Sequence, residues 1–80
     1  MILVDIQVPA LDGIYDFELE EESKVGELTK EIQTLLTMQE QLTEAGGIMS
    51  LYGVRQERSL KEDESLKQQG VREGDQLILI

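Results

Sequence analysis

Carboxylates are the only abundant side chains in this sequence that could do chemistry. Two runs gather three acids each, Glu20-Glu21-Glu22 and Glu62-Asp63-Glu64. Such a run could hold a divalent cation or supply an acid and a base. Neither has the spacing of a calcium loop, and both fall where a strand end or a loop is expected. Each therefore reads as a solvated surface run. Acid–base catalysis also needs a carboxyl held in a cleft with a shifted pKa, and 80 residues arranged as one sheet and one helix offer little cleft. The sequence has no His and no Cys, which removes zinc sites and His-assisted nucleophiles. It has no Asn, and so no N-glycosylation site. No catalytic residue, metal ligand or cofactor is expected. The internal Gly46-Gly47 reads as a helix stop, because glycine adopts the left-handed C-terminal conformation freely.

The elements that would carry any site follow from length, charge and periodicity. Eighty residues fit one domain, residues 1–80. Ile, Leu and Val make up 24 of them, enough for one core. Seventeen acids against seven bases leave a net charge of −10. A polyanion repels phosphate, so nucleic acid and anionic membrane surfaces are poor partners. No apolar run approaches the ~20 residues of a membrane span, and the start Met1-Ile-Leu-Val-Asp5 does not resemble a signal peptide. A cytoplasmic domain is expected.

Ile2 to Val8 alternates, with Ile2, Val4, Ile6 and Val8 on one face and Leu3, Asp5 and Gln7 on the other. Pro9 to Gly13 reads as a turn in which Gly13 takes positive φ. Ile14 to Glu20 alternates again, with Tyr15, Phe17 and Leu19 inward, so the two strands form a hairpin. Val25, Leu28, Ile32, Leu35, Leu36 and Leu42 then fall three, four or seven apart, the period of a helical stripe. Ser23 is the expected N-cap. Gly26 weakens the first turn by up to about 1 kcal/mol. The helix runs about five turns toward Gly46-Gly47, with a break expected near Thr37-Met38. Met38 and Met49 are expected to fill core gaps. Ile48 to Tyr52 reads as a third strand ending at Gly53, and Val54 to Ser59 as a loop or short edge strand. Ser65 to Gly70 reads as one helical turn, and Gln76 to Ile80 as the last strand. The order is ββαββ: an α+β domain whose helix crosses one face of the sheet, with the first and last strands central and parallel.

In the second half, Leu60, Leu66, Val71, Leu77 and Leu79 are separated by 6, 5, 6 and 2 residues. Together with the helix stripe Val25, Leu28, Ile32 and the hairpin residues Tyr15, Phe17 and Leu19, this ladder resembles that of ubiquitin-like β-grasp domains across essentially the whole chain. The resemblance implies a mixed sheet of four to five strands with one helix across one face. The Ile-x-Val strand after Met1 and the run Leu66-Lys-Gln-Gln-Gly-Val-Arg-Glu-Gly-Asp-Gln-Leu-Ile-Leu79 are similar to the bacterial YukD/EsaB-type proteins of type VII (WXG100) secretion systems. That resemblance implies an accessory or regulatory role in such a system, beside a membrane ATPase whose cytosolic part contains a similar domain. Conjugated relatives act through a flexible tail ending in Gly-Gly. This sequence stops at Ile80 inside the predicted last strand, so conjugation is not expected. Two alternatives stand beside that reading: a ubiquitin-like modifier or sulfur carrier shortened at its tail, or a ubiquitin-like docking domain of a larger protein.

The sheet face opposite the helix should be polar, yet alternation places Leu3, Ile14, Ile78 and Ile80 there. Ubiquitin binds partners through the corresponding face. The resemblance carries that role to Ser50, Ile78 and Ile80, with Gln7 on the neighbouring strand, although Ser50 stands where the family commonly has a large aliphatic. The expected partner-binding face is therefore Leu3, Gln7, Ile14, Ser50, Ile78 and Ile80. Its partner is another protein, a secretion-system component or a second copy of this chain. Asp5, Asp16 and Glu18 would form an acidic rim that favours a basic surface.

Overall fold

The computed structural model describes residues 1–40 and 49–80. Strand β1 (Ile2–Val8) runs through a single 3-10 turn (Pro9–Leu11) into β2 (Gly13–Leu19). Helix α1 (Val25–Glu40) follows, then β3 (Leu51–Gly53), β4 (Arg58–Ser59) and β5 (Gln76–Leu79). The sheet order is β2-β1-β5-β3-β4, with β1 and β5 parallel at its centre and the other neighbours antiparallel. This is the expected α+β arrangement, with five strands and one α-helix among the described residues. Among the described residues no helix is long and apolar enough to cross a membrane.

One hydrophobic core lies between sheet and helix. β1 contributes Ile2, Val4, Ile6 and Val8, and α1 contributes Val25, Leu28, Ile32 and Leu36. The ladder Leu60, Leu66, Val71, Leu77 and Leu79 is buried throughout, together with Leu19 and Leu51. Tyr15, Phe17 and Met49 pack against this core half-buried. Leu35 departs from the expected stripe and is 42% exposed. Successive helical residues diverge by about 100°, so a helix lying on a sheet can bury only one of the neighbours Leu35 and Leu36. Met38 is exposed rather than core-filling, and the helix continues unbroken through Thr37-Met38. Leu42, Gly46-Gly47 and Ile48 lie outside the described residues.

The helix start corrects a second expectation. Lys24, not Ser23, precedes the first helical residue and accepts from the Glu27 and Leu28 N–H groups. The N–H groups of Val25 and Gly26 are satisfied by chain segments far away in sequence: they donate to the carbonyls of Glu64 and Glu62 at 2.9 and 3.0 Å. Gly26 makes that closure possible, because a Cβ there would lie 3.3 Å from both the Glu62 carbonyl oxygen and its Cβ. The segment that caps the helix is itself held by Gln69, which is buried. Its amide accepts from the Lys61 N–H at 2.7 Å and donates to the Lys61 carbonyl at 2.8 Å. Ser65 and Gln68 exchange side-chain and backbone hydrogen bonds at 2.9 and 3.0 Å, a reciprocal cap that closes the turn before Gly70.

Asp12, rather than Gly13, adopts the left-handed conformation in the hairpin turn (φ 52°), a position short acidic side chains tolerate. Gly13 already belongs to β2, opposite Val8. The described β3 begins at Leu51 and includes Gly53, although Ser50 and Ile80 extend the pairing by donating to each other's carbonyls at 2.6 and 2.9 Å.

Candidate interaction face

The helix covers one face of the sheet, and among the described residues no element covers the other. On that open face the strand registers assemble rows that cross several strands. Ile14 stands opposite Gln7, Gln7 beside Ile78, and Ile78 opposite Tyr52. A single row therefore runs Ile14–Gln7–Ile78–Tyr52 across β2, β1, β5 and β3. Ile14 is 60% exposed, while Ile78 and Tyr52 are half-buried against their neighbours. Ile80, also exposed, and Ser50 lie one position further along β5 and β3. Ile78 and Tyr52 are neighbours in that row, Ile80 lies beside them, and Ile14 stands beyond Gln7, so the strip is apolar but for one amide. At roughly 25 cal/mol per Å², leaving such area exposed forgoes stability that a small domain could use.

Of the expected residues, the structure brings Gln7, Ile14, Ser50, Ile78 and Ile80 together. It does not bring Leu3 to them. Leu3 lies two outward positions back from Gln7 on β1, roughly 13 Å away at the usual strand rise. It is flanked instead by Glu18 on β2 and by the turn before β5. Its N–H donates to Glu73 Oε1 at 2.9 Å and its carbonyl accepts from the Gly74 N–H at 2.7 Å. Tyr52 was not among the expected residues, yet it supplies the largest side chain of the row. Its parity with Ser50 was the available signal.

A rung of acceptors separates Leu3 from the strip: Asp16 faces Asp5, and Asp5 lies beside Gln76. A hydrogen bond with the Asp16 carboxyl, reinforced by repulsion between the two charges, raises the Asp5 pKa above the ordinary aspartate range. Beyond β5, Asp75 is held down to about 2. The main cause is the Arg55 guanidinium, which donates to both carboxylate oxygens at 2.8 to 3.2 Å; the Arg72 N–H and Gln56 add to it. Arg55 also donates to the Gly70 carbonyl, so this cluster ties the β3–β4 turn to the approach to β5 and is structural.

The acidic runs sit elsewhere. Glu20 and Glu22 are exposed, and Glu21 meets the Met1 ammonium at 3.3 Å. Glu62 and Glu64 use their backbone carbonyls to cap the helix. A hollow of about 190 Å³ at the hairpin end of the strip is lined by Gln7, Pro9, Asp12, Gly13 and Ile14. A groove of about 410 Å³ lies along the helix flank, lined by Lys30, Glu31, Thr34 and Leu35. The helix groove is larger and its surface mainly apolar, whereas the hollow is evenly mixed and opens directly onto the strip.

Comparison with known proteins agrees with the β-grasp geometry. The profile of a family described as "WXG100 protein secretion system (Wss), protein YukD" matches residues 3–79. No curated protein matches the sequence. Among solved structures, the EccD5 ubiquitin-like domain from Mycobacterium xenopi is 26% identical, with a TM-score of 0.73 over 99% of this chain and 91% of that one. The ubiquitin-like domain of the Mycobacterium tuberculosis type VII secretion protein ECCD1 is 19% identical, with a TM-score of 0.71 over 100% and 99% of the two chains. A chain of the ESX-5 inner membrane complex superposes with a TM-score of 0.83 at 20% identity; 99% of this chain matches 20% of that one.

Proposed function

This chain belongs to the YukD family of WXG100 secretion-system proteins, and from that premise we propose that it is a non-catalytic protein-docking module of a type VII-like system. It acts as an accessory or regulatory component in the cytoplasm, and it binds another component through the open sheet face. The observation that carries this reading is the row Ile14–Gln7–Ile78–Tyr52, with Ile80 beside it, on the one face of the sheet that no described element covers. Its polar member, Gln7, can hydrogen-bond a partner's backbone, while the flanking aliphatics and the tyrosine supply the area that a docking site needs. The secretion-system neighbours supply the context. EccD5 and ECCD1 carry this fold as a ubiquitin-like domain, and a chain of the ESX-5 inner membrane complex contains it. Such a domain is suited to contact the cytosolic parts of the same assembly.

The test is a pairwise binding screen by calorimetry. The purified protein is titrated against the cytosolic domains of each membrane component encoded with it. Binding to at least one of them, lost in Ile78→Asp while the circular dichroism spectrum is kept, is the expected result. No binding to any component, or binding that Ile78→Asp leaves intact, would contradict the reading.

A further inference from the structure

The open face carries a second feature that folding does not require. Asp5 and Asp16 stand directly opposite each other across β1 and β2, both exposed. Like charges facing across a ladder destabilise it. Among the described residues, the ion pairs lie elsewhere and none reaches either carboxylate. The same rung continues into Gln76 on β5. It runs beside the apolar strip, one outward position away along each strand. A line of oxygen acceptors thus lies parallel to the row Ile14–Gln7–Ile78–Tyr52 on a surface that no described element covers, in a chain of net charge −10.

We propose that this face docks a protein segment that lays an arginine across Asp5 and Asp16 while its neighbouring apolar side chains cover Ile78 and Tyr52. The proposal rests on the reading of the sheet face as a docking site and adds the chemistry of the partner. A guanidinium suits the rung better than an ammonium. Its planar fork offers several fixed donors that can bridge two carboxylates, whereas an ammonium is a compact, strongly hydrated point charge. The bound cation would also replace the hydrogen bond between the two carboxyls and offset the repulsion, which together now raise the Asp5 pKa. A second copy of this chain is a poor occupant. A two-fold interface centred on this face would bring the acids of both copies together and add repulsion.

The experiment uses the full chain, isotope-labelled for NMR, and two acetylated five-residue peptides at about 0.15 M salt. One alternates leucine and arginine; the other has uncharged citrulline in place of arginine. The arginine peptide is expected to shift the amides of Asp5, Asp16, Gln76, Ile78 and Tyr52 and to lower the titration midpoint of the Asp5 carboxyl. The citrulline peptide should bind roughly three- to tenfold more weakly, the scale expected for two partly exposed charge contacts. The double variant Asp5→Asn/Asp16→Asn should bind both peptides equally. Equal binding of the two peptides by the parent protein would overturn the arginine assignment while leaving the docking face in place. Shifts confined to other surfaces, or none at all at millimolar peptide, would also overturn it. The docking reading itself is then decided separately by the screen against secretion components.

Discussion

Leu77 and Ile78 are adjacent in β5, yet they face opposite sides of the sheet, and truncating each to alanine should separate those sides energetically. Leu77 has no exposed surface and sits at the sheet centre, paired on one side with Ile6 of β1 and on the other with Gly53 of β3. Removing its isobutyl group leaves a cavity walled by backbone on both flanks and by the helix above. Collapse is restricted, and the loss should fall in the upper part of the range for buried Leu→Ala, about 3–5 kcal/mol. Ile78 is half-buried with water on one side. It loses three carbons, at about 0.8 kcal/mol each if fully buried, so its truncation should cost about 1 kcal/mol and leave no closed cavity. A domain of this size has a total stability of roughly 4–12 kcal/mol, so Leu77→Ala consumes a large part of it. With a urea slope of about 1 kcal/mol/M for so small a domain, the midpoint should drop by roughly 3–5 M for Leu77→Ala and by about 1 M for Ile78→Ala. In the least stable case Leu77→Ala will not fold without a stabilising osmolyte. Equal shifts would refute the register, or the assignment of the covered face.

Four further outcomes follow from particular contacts. Asp75 has a folded pKa of about 2 against 3.8 for the free side chain. Its contribution is therefore complete above pH ~4 and lost as pH falls toward 2; it is at most about 2 kcal/mol, reduced by solvent around the half-exposed Arg55. Acid unfolding of Asp75→Asn should be correspondingly shallower across that window. Asp5 behaves in the opposite sense: its folded pKa is raised, so its ionised form destabilises at neutral pH and the penalty fades as pH falls through that pKa. Asp5→Asn should raise the thermal midpoint at pH 7 and leave it little changed at pH 3. Gly26→Ala adds a better helix former, yet the new Cβ meets the Glu62 carbonyl, so thermal melting should show loss rather than the gain of up to about 1 kcal/mol that propensity alone promises. Gln69→Leu removes the part-buried hydrogen bonds to the Lys61 N–H and carbonyl and should cost about 1 kcal/mol in urea unfolding.

Which parts of this structure were legible in the sequence depended on how local their causes are. β1 was plain because one face of it is buried along its whole length, so Ile2, Val4, Ile6 and Val8 mark the period unaided. The ladder from Leu60 to Leu79 was equally plain, since every member is core. Leu35 could not be told from Leu36, because both lie near the edge of the stripe and the tilt of the helix on the sheet decides between them. The true cap of the helix was hidden because its acceptors, the carbonyls of Glu62 and Glu64, come from the far end of the chain. Ile14, Ile78 and Ile80 were found on the open face by alternation alone. Their assembly into one strip, the distance of Leu3 from it and the confrontation of Asp5 with Asp16 all depend on register. Register follows from the hairpin turn at Pro9–Asp12 and from the parallel pairing of β1 with β5, which alternation does not specify. Tyr52 could have been placed by counting from Ser50.

The docking claim can be tested most directly through the isoleucine methyl groups, which the fold distributes over both sides of the sheet. Ile14, Ile78 and Ile80 lie on the open face, while Ile2 and Ile6 of β1 and Ile32 of the helix are buried in the core between sheet and helix. With the protein methyl-labelled on isoleucine and bound to whichever secretion component the calorimetric screen identifies, cross-saturation from the partner should attenuate Ile14, Ile78 and Ile80 and spare Ile2, Ile6 and Ile32. A complex that forms without attenuating the three outer methyls would place the contact elsewhere and contradict the assignment of the sheet face.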